Sequence, residues 1–251
     1  MNNSFAIETL RKITASQTVE CVWRALHQAI EAAGFGQALY ALTRFRTDKS
    51  MGESMGHLIL SSYPAEYMHA FIGPRERYRI APMAQWALDN VGTQSWDYVE
   101  TIRNSLSSEQ LELIEFNAKY GLNAGITIGF PSSRRHEKGG IGLALAPHSG
   151  TQADANALWA KYGEVLETIC HVAHLKFQTL PMPVRVLSPR QREVLEWVGE
   201  GKSTADVAEI LGVTIATVDK HLRNAREALN VETTAQAVLR ASVYNQIYAE
   251  A

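Results

Sequence analysis

The sequence predicts an α+β fold in two parts: an N-terminal α-β-α sandwich on a mainly antiparallel sheet, then an all-α domain of four short helices. Three observations carry this. Short apolar stretches of partly alternating pattern come in neighbouring pairs, as antiparallel strands do, with capped helical stretches around them. Beyond residue 186 the strand pattern vanishes, and successive apolar periods are opened by Ser or Thr and closed by turn residues. Between the two parts, residues 178–186 (QTLPMPVRV) contain two prolines, no helical period and few charges, which separates residues 1–177 from residues 187–251.

Taken in order, Val22, Trp23, Leu26, Ala29 and Ile30 fall on one face of a single expected helix over residues 7–33, stopped by Gly34. Residues 37–46 and 57–63 read as neighbouring strands joined by the Gly- and Ser-containing KSMGESMG. Pro64 and Pro74 interrupt the next region, where residues 66–71 and 83–88 are helical pieces around an aromatic-rich loop. Ser107 and Ser108 open a helix through Leu111, Leu113, Ile114, Phe116 and Tyr120, ended by Gly121. Residues 124–130 and 141–146 form a second strand pair around the basic SSRRHEKGG. Residues 151–177 form a long helix whose stripe of Leu158, Tyr162, Val165, Leu166, Ile169 and Val172 serves both a core and a partner.

Composition narrows the function. With 251 residues and 46% hydrophobic content the chain can bury a sizeable core. Net charge is −2, and from Val184 onward 8 Lys and Arg face 9 Asp and Glu. Any nucleic-acid binding therefore depends on a local cluster and on doubling it in a dimer. Cys21 and Cys170 make no disulfide framework; Cys21 reads as a buried thiol, and a cytoplasmic location follows. Neither a membrane span nor a leader is expected. Cys170, His171 and His174 sit within one helical turn but lack a second ligand pair, so no metal is expected. The absence of a P-loop, a dinucleotide fingerprint or a Ser-centred elbow argues against an enzyme, a catalytic residue or a cofactor.

The tail LSPRQREVLEWVGEGKSTADVAEILGVTIATVDKHLRNAREAL is three helices with their own punctuation. Ser188 caps the first, with Pro189 at its first position and Val194, Leu195 and Val198 at helical spacing, and Gly199 and Gly201 end it. Ser203 and Asp206 open the second, whose apolar face is Val207, Ile210 and Leu211, before Gly212 permits a tight turn. Thr214 caps the third, and Thr233 caps a last helix with Ala237, Val238, Ala241 and Tyr244 on one face. Two helices joined by a short Gly turn, the second bearing cations, form a helix-turn-helix that lays the second helix in the major groove. Lys220, Arg223 and Arg226, spaced by three, share a side; Ser203, Thr214, Thr217, His221 and Asn224 complete the expected DNA contacts.

This tail resembles the LuxR-type helix-turn-helix along residues 187–247: LSPRQREVL, GKSTADVAEILG and TVDKHLRN match that family's opening, middle and recognition helix. Gln191 stands where the family usually has Glu, and Asp219 where it usually has a cation, which bears on DNA affinity or readout. Phosphorylated response regulators share the tail but would place a doubly wound parallel domain first. Instead, SYPAEYMHAFIGPRERYRIAPMAQWALDNVGTQSW resembles the autoinducer-binding domain of quorum-sensing LuxR regulators.

The resemblance implies a homodimeric bacterial-type regulator on a two-fold operator in double-stranded DNA, with a small-molecule signal held by the first domain. It places Tyr67 at the family's lactone-contacting Trp, Phe71 at its ligand-facing Tyr, Ala81 at the Asp that accepts the ligand's amide proton, and Trp96 at the second Trp; Pro82 and Gly125 match. Ala144 stands in a strand that often offers Ser or Thr. Each lost partner leaves a buried polar group unpaired at about 1–3 kcal/mol, and three approach the roughly 8 kcal/mol of a micromolar ligand. A different apolar ligand, or action without one, is therefore favoured over an ordinary acyl-homoserine lactone. Tyr63, Tyr67, Phe71, Tyr78, Trp86 and Trp96 are expected to line the pocket. A rival reading is a modulator that binds no DNA and acts by heterodimerisation.

Overall fold

The computed structural model describes residues 3–44, 56–132, 134, 136–182 and 187–248. The chain divides into two compact units, Met1–Gln178 and Thr179–Ala251.

The first unit opens with two helices rather than one, α1 (Asn3–Ala15) and α2 (Val19–Ala32). The Ser16 hydroxyl donates to the Lys12 carbonyl at 2.7 Å, and the Thr18 hydroxyl accepts from the Cys21 amide, so polar residues that fit the helical period end one helix and cap the next. Cys21 is exposed, against the expected buried thiol, because it lies on the outer side of α2 while Val22, Leu26, Ala29 and Ile30 face inward.

Strands β1 (Gln37–Thr43), β2 (His57–Ser61), β3 (Gly92–Ser95), β4 (Gly125–Gly129) and β5 (Lys138–Ala144) form one sheet in the order β2-β1-β5-β4-β3. Every pairing is antiparallel, which is not the doubly wound parallel architecture of a response-regulator domain. The loop expected between the first two strands lies mostly outside the described residues. β3 was not expected: its GTQS has no apolar alternation because it is a half-buried edge strand whose one strand neighbour in the sheet is β4. β5 begins inside the expected hairpin loop, since its glycines mimic a turn. A Cβ on Gly139 would lie 2.5 Å from the His174 ring, so glycine there serves close packing.

The cross-strand alternation gives the sheet two functional faces. On one, Tyr40 packs on His174 and Phe177 of α7 (Gln152–Thr179), which buries Ala155, Leu166, Ile169, Cys170 and Ala173. The expected stripe residues Leu158, Tyr162, Val165 and Val172 are only half-buried at its margins. Over the other face lie α3 (Ala65–Ile72), α4 (Pro82–Asp89) and α6 (Ser108–Lys119), with the short α5 (Tyr98–Thr101) beyond β3.

A buried polar network holds the α7 side. Arg44 and Glu137, 1% and 7% exposed, pair at 3.4 Å. The Gln178 amide donates to Glu137 at 2.7 Å and contacts His174 Nε2 at 3.1 Å. Burial pushes His174 down to about 3, so the ring is neutral; with Nε2 accepting, Nδ1–H donates to the Tyr40 hydroxyl at 2.9 Å.

The second unit holds α8 (Pro189–Gly199), α9 (Thr204–Leu211), α10 (Ile215–Leu229) and α11 (Thr234–Val243) around Val194, Leu195, Val207, Val218, Leu222, Ala225, Ala237, Ala241 and Tyr244. Ser188, Ser203 and Thr233 form full capping boxes, and Thr214 caps α10. Gln191 closes the first box by accepting from the Ser188 amide at 2.8 Å, so it performs the capping role of a Glu there. Gly212 turns the chain at φ 64, where a side chain would be strained. Ile210 departs from expectation: it is 45% exposed, and Ala208 takes the inward position.

Candidate functional site

The first unit encloses a cavity of about 520 Å³ between the sheet and the α3, α4 and α6 layer. Its wall is built from Tyr67 and Phe71 on α3, whose helical spacing of four places both rings on one side. Tyr67 stacks on Phe71 and on Phe116, with ring centroids 5.2 Å and 5.4 Å away. Its hydroxyl donates to Asn117 Oδ1 at 3.0 Å. Tyr63 meets the Tyr67 ring edge-on, and burial raises the pKa of both phenols, so they remain protonated donors at neutral pH. Trp96 donates its indole N–H to Thr127 Oγ1 at 2.9 Å. Ala81, 8% exposed, sits at the N-cap of α4 and presents only a methyl group.

Six of the eight expected pocket residues therefore lie on this cavity: Tyr63, Tyr67, Phe71, Tyr78, Ala81 and Trp96. Trp86 does not. The α4 residues on the cavity are Pro82, Met83, Ala84, Ala87 and Leu88, and Trp86, half-buried, is not among them. Ala144 also falls outside the lining; it shares a sheet face with Gly140 and Gly142 but is covered by the core around Tyr67, Phe71 and Leu122. Gly142, beside Thr127 in the register, is the β5 residue that borders the cavity there.

Several other lining residues carry no local sequence signal. Thr43, His57 and Lys138 occupy one row, since Thr43 is paired with His57 on β2 and with Lys138 on β5. Asn117 and Thr127 supply the partners of the Tyr67 and Trp96 donors. Asp97 and Glu100 lie at the exposed far corner. His57 and Lys138 each open an apolar strand with a basic residue, a signal that acquires meaning only once the register is known.

The second unit offers a surface of another kind. On α10, Val218, Leu222, Ala225 and Leu229 are buried, which turns Ala216, Lys220, Arg223 and Glu227 outward. Thr217, His221 and Asn224 run half-buried along one margin, and Asp219 is exposed on the other. Arg226 departs from the expected stripe: half-buried, it donates to Thr234 Oγ1 at 3.1 Å and so braces α11, with no ion pair to Glu227 or Glu232 among the described residues. Ser203 and Thr214 engage their hydroxyls in caps, each accepting from a first-turn amide at 3.2 Å. Two exposed cations next to a groove-sized helix can contact phosphates and base edges. Among the described residues no cluster of three metal-ligating side chains occurs, and no helix is long and apolar enough to cross a membrane.

Residues 18–177 match the autoinducer binding domain family, and residues 185–241 match the luxR family of bacterial regulatory proteins. The chain is 27% identical over 191 residues to the transcriptional activator protein AnoR of Acinetobacter nosocomialis, covering 73% of this chain and 76% of that one. Among solved structures it is similar in fold to SdiA of Escherichia coli, with a TM-score of 0.52, 18% identity and coverage of 98% and 99%. It is also similar to CepR2 of Burkholderia cenocepacia, an N-acylhomoserine lactone dependent LuxR family factor, with a TM-score of 0.52, 17% identity and coverage of 68% and 92%.

Proposed function

Because the chain belongs to the family of LuxR-type quorum-sensing transcriptional regulators with an autoinducer-binding domain, we propose a specific division of labour within it. Residues 1–177 hold a small apolar signal other than an ordinary acyl-homoserine lactone. Residues 187–251 read a two-fold operator in double-stranded DNA as part of a cytoplasmic homodimer, through Lys220, Arg223 and the Thr217, His221 and Asn224 margin. The near-neutral charge of one DNA-binding unit supports the dimer, because a pair of recognition helices doubles the phosphate contacts.

The observation that carries the ligand reading is Ala81. It lines the cavity at the position where the family resemblance puts the acceptor of a lactone's amide proton, while the Tyr67 and Trp96 donors are already engaged by Asn117 and Thr127. A lactone would bury its amide without that acceptor, at about 1–3 kcal/mol. The fold itself accommodates acylated ligands, as the dependence of CepR2 on an N-acylhomoserine lactone illustrates for that protein. The test is titration of octanoyl-homoserine lactone into the purified chain and into Ala81→Asp. The parent should be soluble without lactone and bind it weakly, and Ala81→Asp should gain about tenfold in affinity. A parent that is insoluble unless lactone is supplied would overturn the reading.

A further inference from the structure

We propose that Asp219 reads a base, accepting a hydrogen bond from the N4 amine of a cytosine in the major groove of each half-site; this rests on the DNA-reading assignment above. The position suits the task. Asp219 is the fifth residue of α10, in the N-terminal part of the helix, which in a helix-turn-helix meets the base edges. Val218, Leu222, Ala225 and Leu229 face inward, and Ala216, Asp219, Lys220 and Arg223 form one exposed strip. The carboxylate is also uncommitted. In the same unit Asp206 accepts from the Ser203 amide at 2.9 Å, Glu193 pairs with Arg190 at 2.6 Å, and Glu196 accepts from the Tyr248 amide at 3.0 Å. The Asp219 side chain has no hydrogen-bond or ion-pair partner among the described residues, and neither has that of Arg223, one turn further on.

A free carboxylate among phosphates weakens binding unless it gains a donor, and the major groove offers few. Guanine presents two acceptors there, and thymine an acceptor and a methyl group; the donors are the N4 amine of cytosine and the N6 amine of adenine. Adenine N6 lies between its own N7 and O4 of the paired thymine, both acceptors that repel a carboxylate. Cytosine N4 has an acceptor on one side only, O6 of the paired guanine, and C5–H on the other. Arg223 offsets the charge that remains. It follows Asp219 by about 6 Å along the helix axis, under two base-pair steps of roughly 3.4 Å, so both side chains reach the same half-site. A carboxylate at this place therefore costs general attraction to DNA and adds discrimination between bases.

Selection from random duplexes by the full-length parent, Asp219→Ala and Asp219→Asn, followed by anisotropy titrations on the selected duplex, tests this. The parent should select cytosine at one position of each half-site. Exchanging both of those pairs for T·A should weaken the parent about a hundredfold, about tenfold for each half-site, and Asp219→Ala by less than about threefold. Asp219→Asn should move the preference at that position to adenine, which Asn engages through N6 and N7. Both variants should melt with the parent, because the side chain is exposed. Placing 2-pyrimidinone, which lacks the N4 amine, at the same cytosines tests the parent without any variant and should cost about as much as the T·A exchange. A selected two-fold sequence in which no position depends on Asp219, or an equal gain in affinity for all duplexes with Asp219→Ala, would overturn the cytosine assignment and leave the regulator reading standing. Folded parent protein that selects no two-fold sequence would overturn both.

Discussion

Replacing Glu137 by Leu lowers the stability of the first unit by about 3–5 kcal/mol. Arg44 is 1% exposed and Glu137 7%, so the substitution leaves a guanidinium in the interior without this carboxylate, and it removes the acceptor of the Gln178 amide. The cost comes from a buried guanidinium losing this carboxylate, not from the worth of the pair itself. The double variant Arg44→Met/Glu137→Leu should therefore recover more than half of the loss, since an apolar pair of similar volume often matches a buried ion pair. Chemical denaturation followed by the first unit's tryptophans, Trp23, Trp86, Trp96 and Trp159, reads both values. A loss below about 1 kcal/mol for Glu137→Leu would show that water reaches this pair.

Replacing Arg223 by Ala should have the largest effect on DNA. A cation contact to a base or phosphate contributes about 1–3 kcal/mol, and a two-fold complex uses the residue twice, so affinity should fall by about 2–6 kcal/mol. Arg226→Ala provides the contrast. Its guanidinium is held by Thr234, so its loss should cost the second unit about 1 kcal/mol of stability and change DNA affinity far less than Arg223→Ala. Fluorescence anisotropy on a selected duplex separates the two, and equal losses of affinity would contradict the outward placement of Arg223 and the inward placement of Arg226.

How much of this was readable beforehand follows from the range of the interactions involved. The second unit was legible almost residue by residue because caps, turn glycines and helical periods act within four positions of the chain, as at Ser188, Ser203 and Gly212. The exceptions were Ile210, which fits the apolar period of α9 but is exposed, and Arg226, whose i,i+3 spacing suggested a shared stripe but whose partner comes from the next helix. In the first unit, local signals misled where polar residues fit an apolar period, as at Ser16 and Thr18, and where glycines inside β5 imitated a turn. The aromatic part of the cavity, Tyr63, Tyr67, Phe71 and Tyr78, was legible through the resemblance of that stretch to the autoinducer-binding domain, whose pattern is local in the chain. The basic row and the Arg44–Glu137 pair were not, since each depends on how β1 registers against strands distant in the chain.

The central claim, that the chain is a two-fold DNA-reading regulator, is tested most directly by selecting bound sequences from random duplexes with the full-length protein. Enrichment of one two-fold symmetric sequence, occupied by two copies of the chain and lost with Arg223→Ala, is the predicted result. Folded protein that enriches no two-fold sequence at any salt concentration would contradict the claim and favour a modulator that acts by heterodimerisation instead.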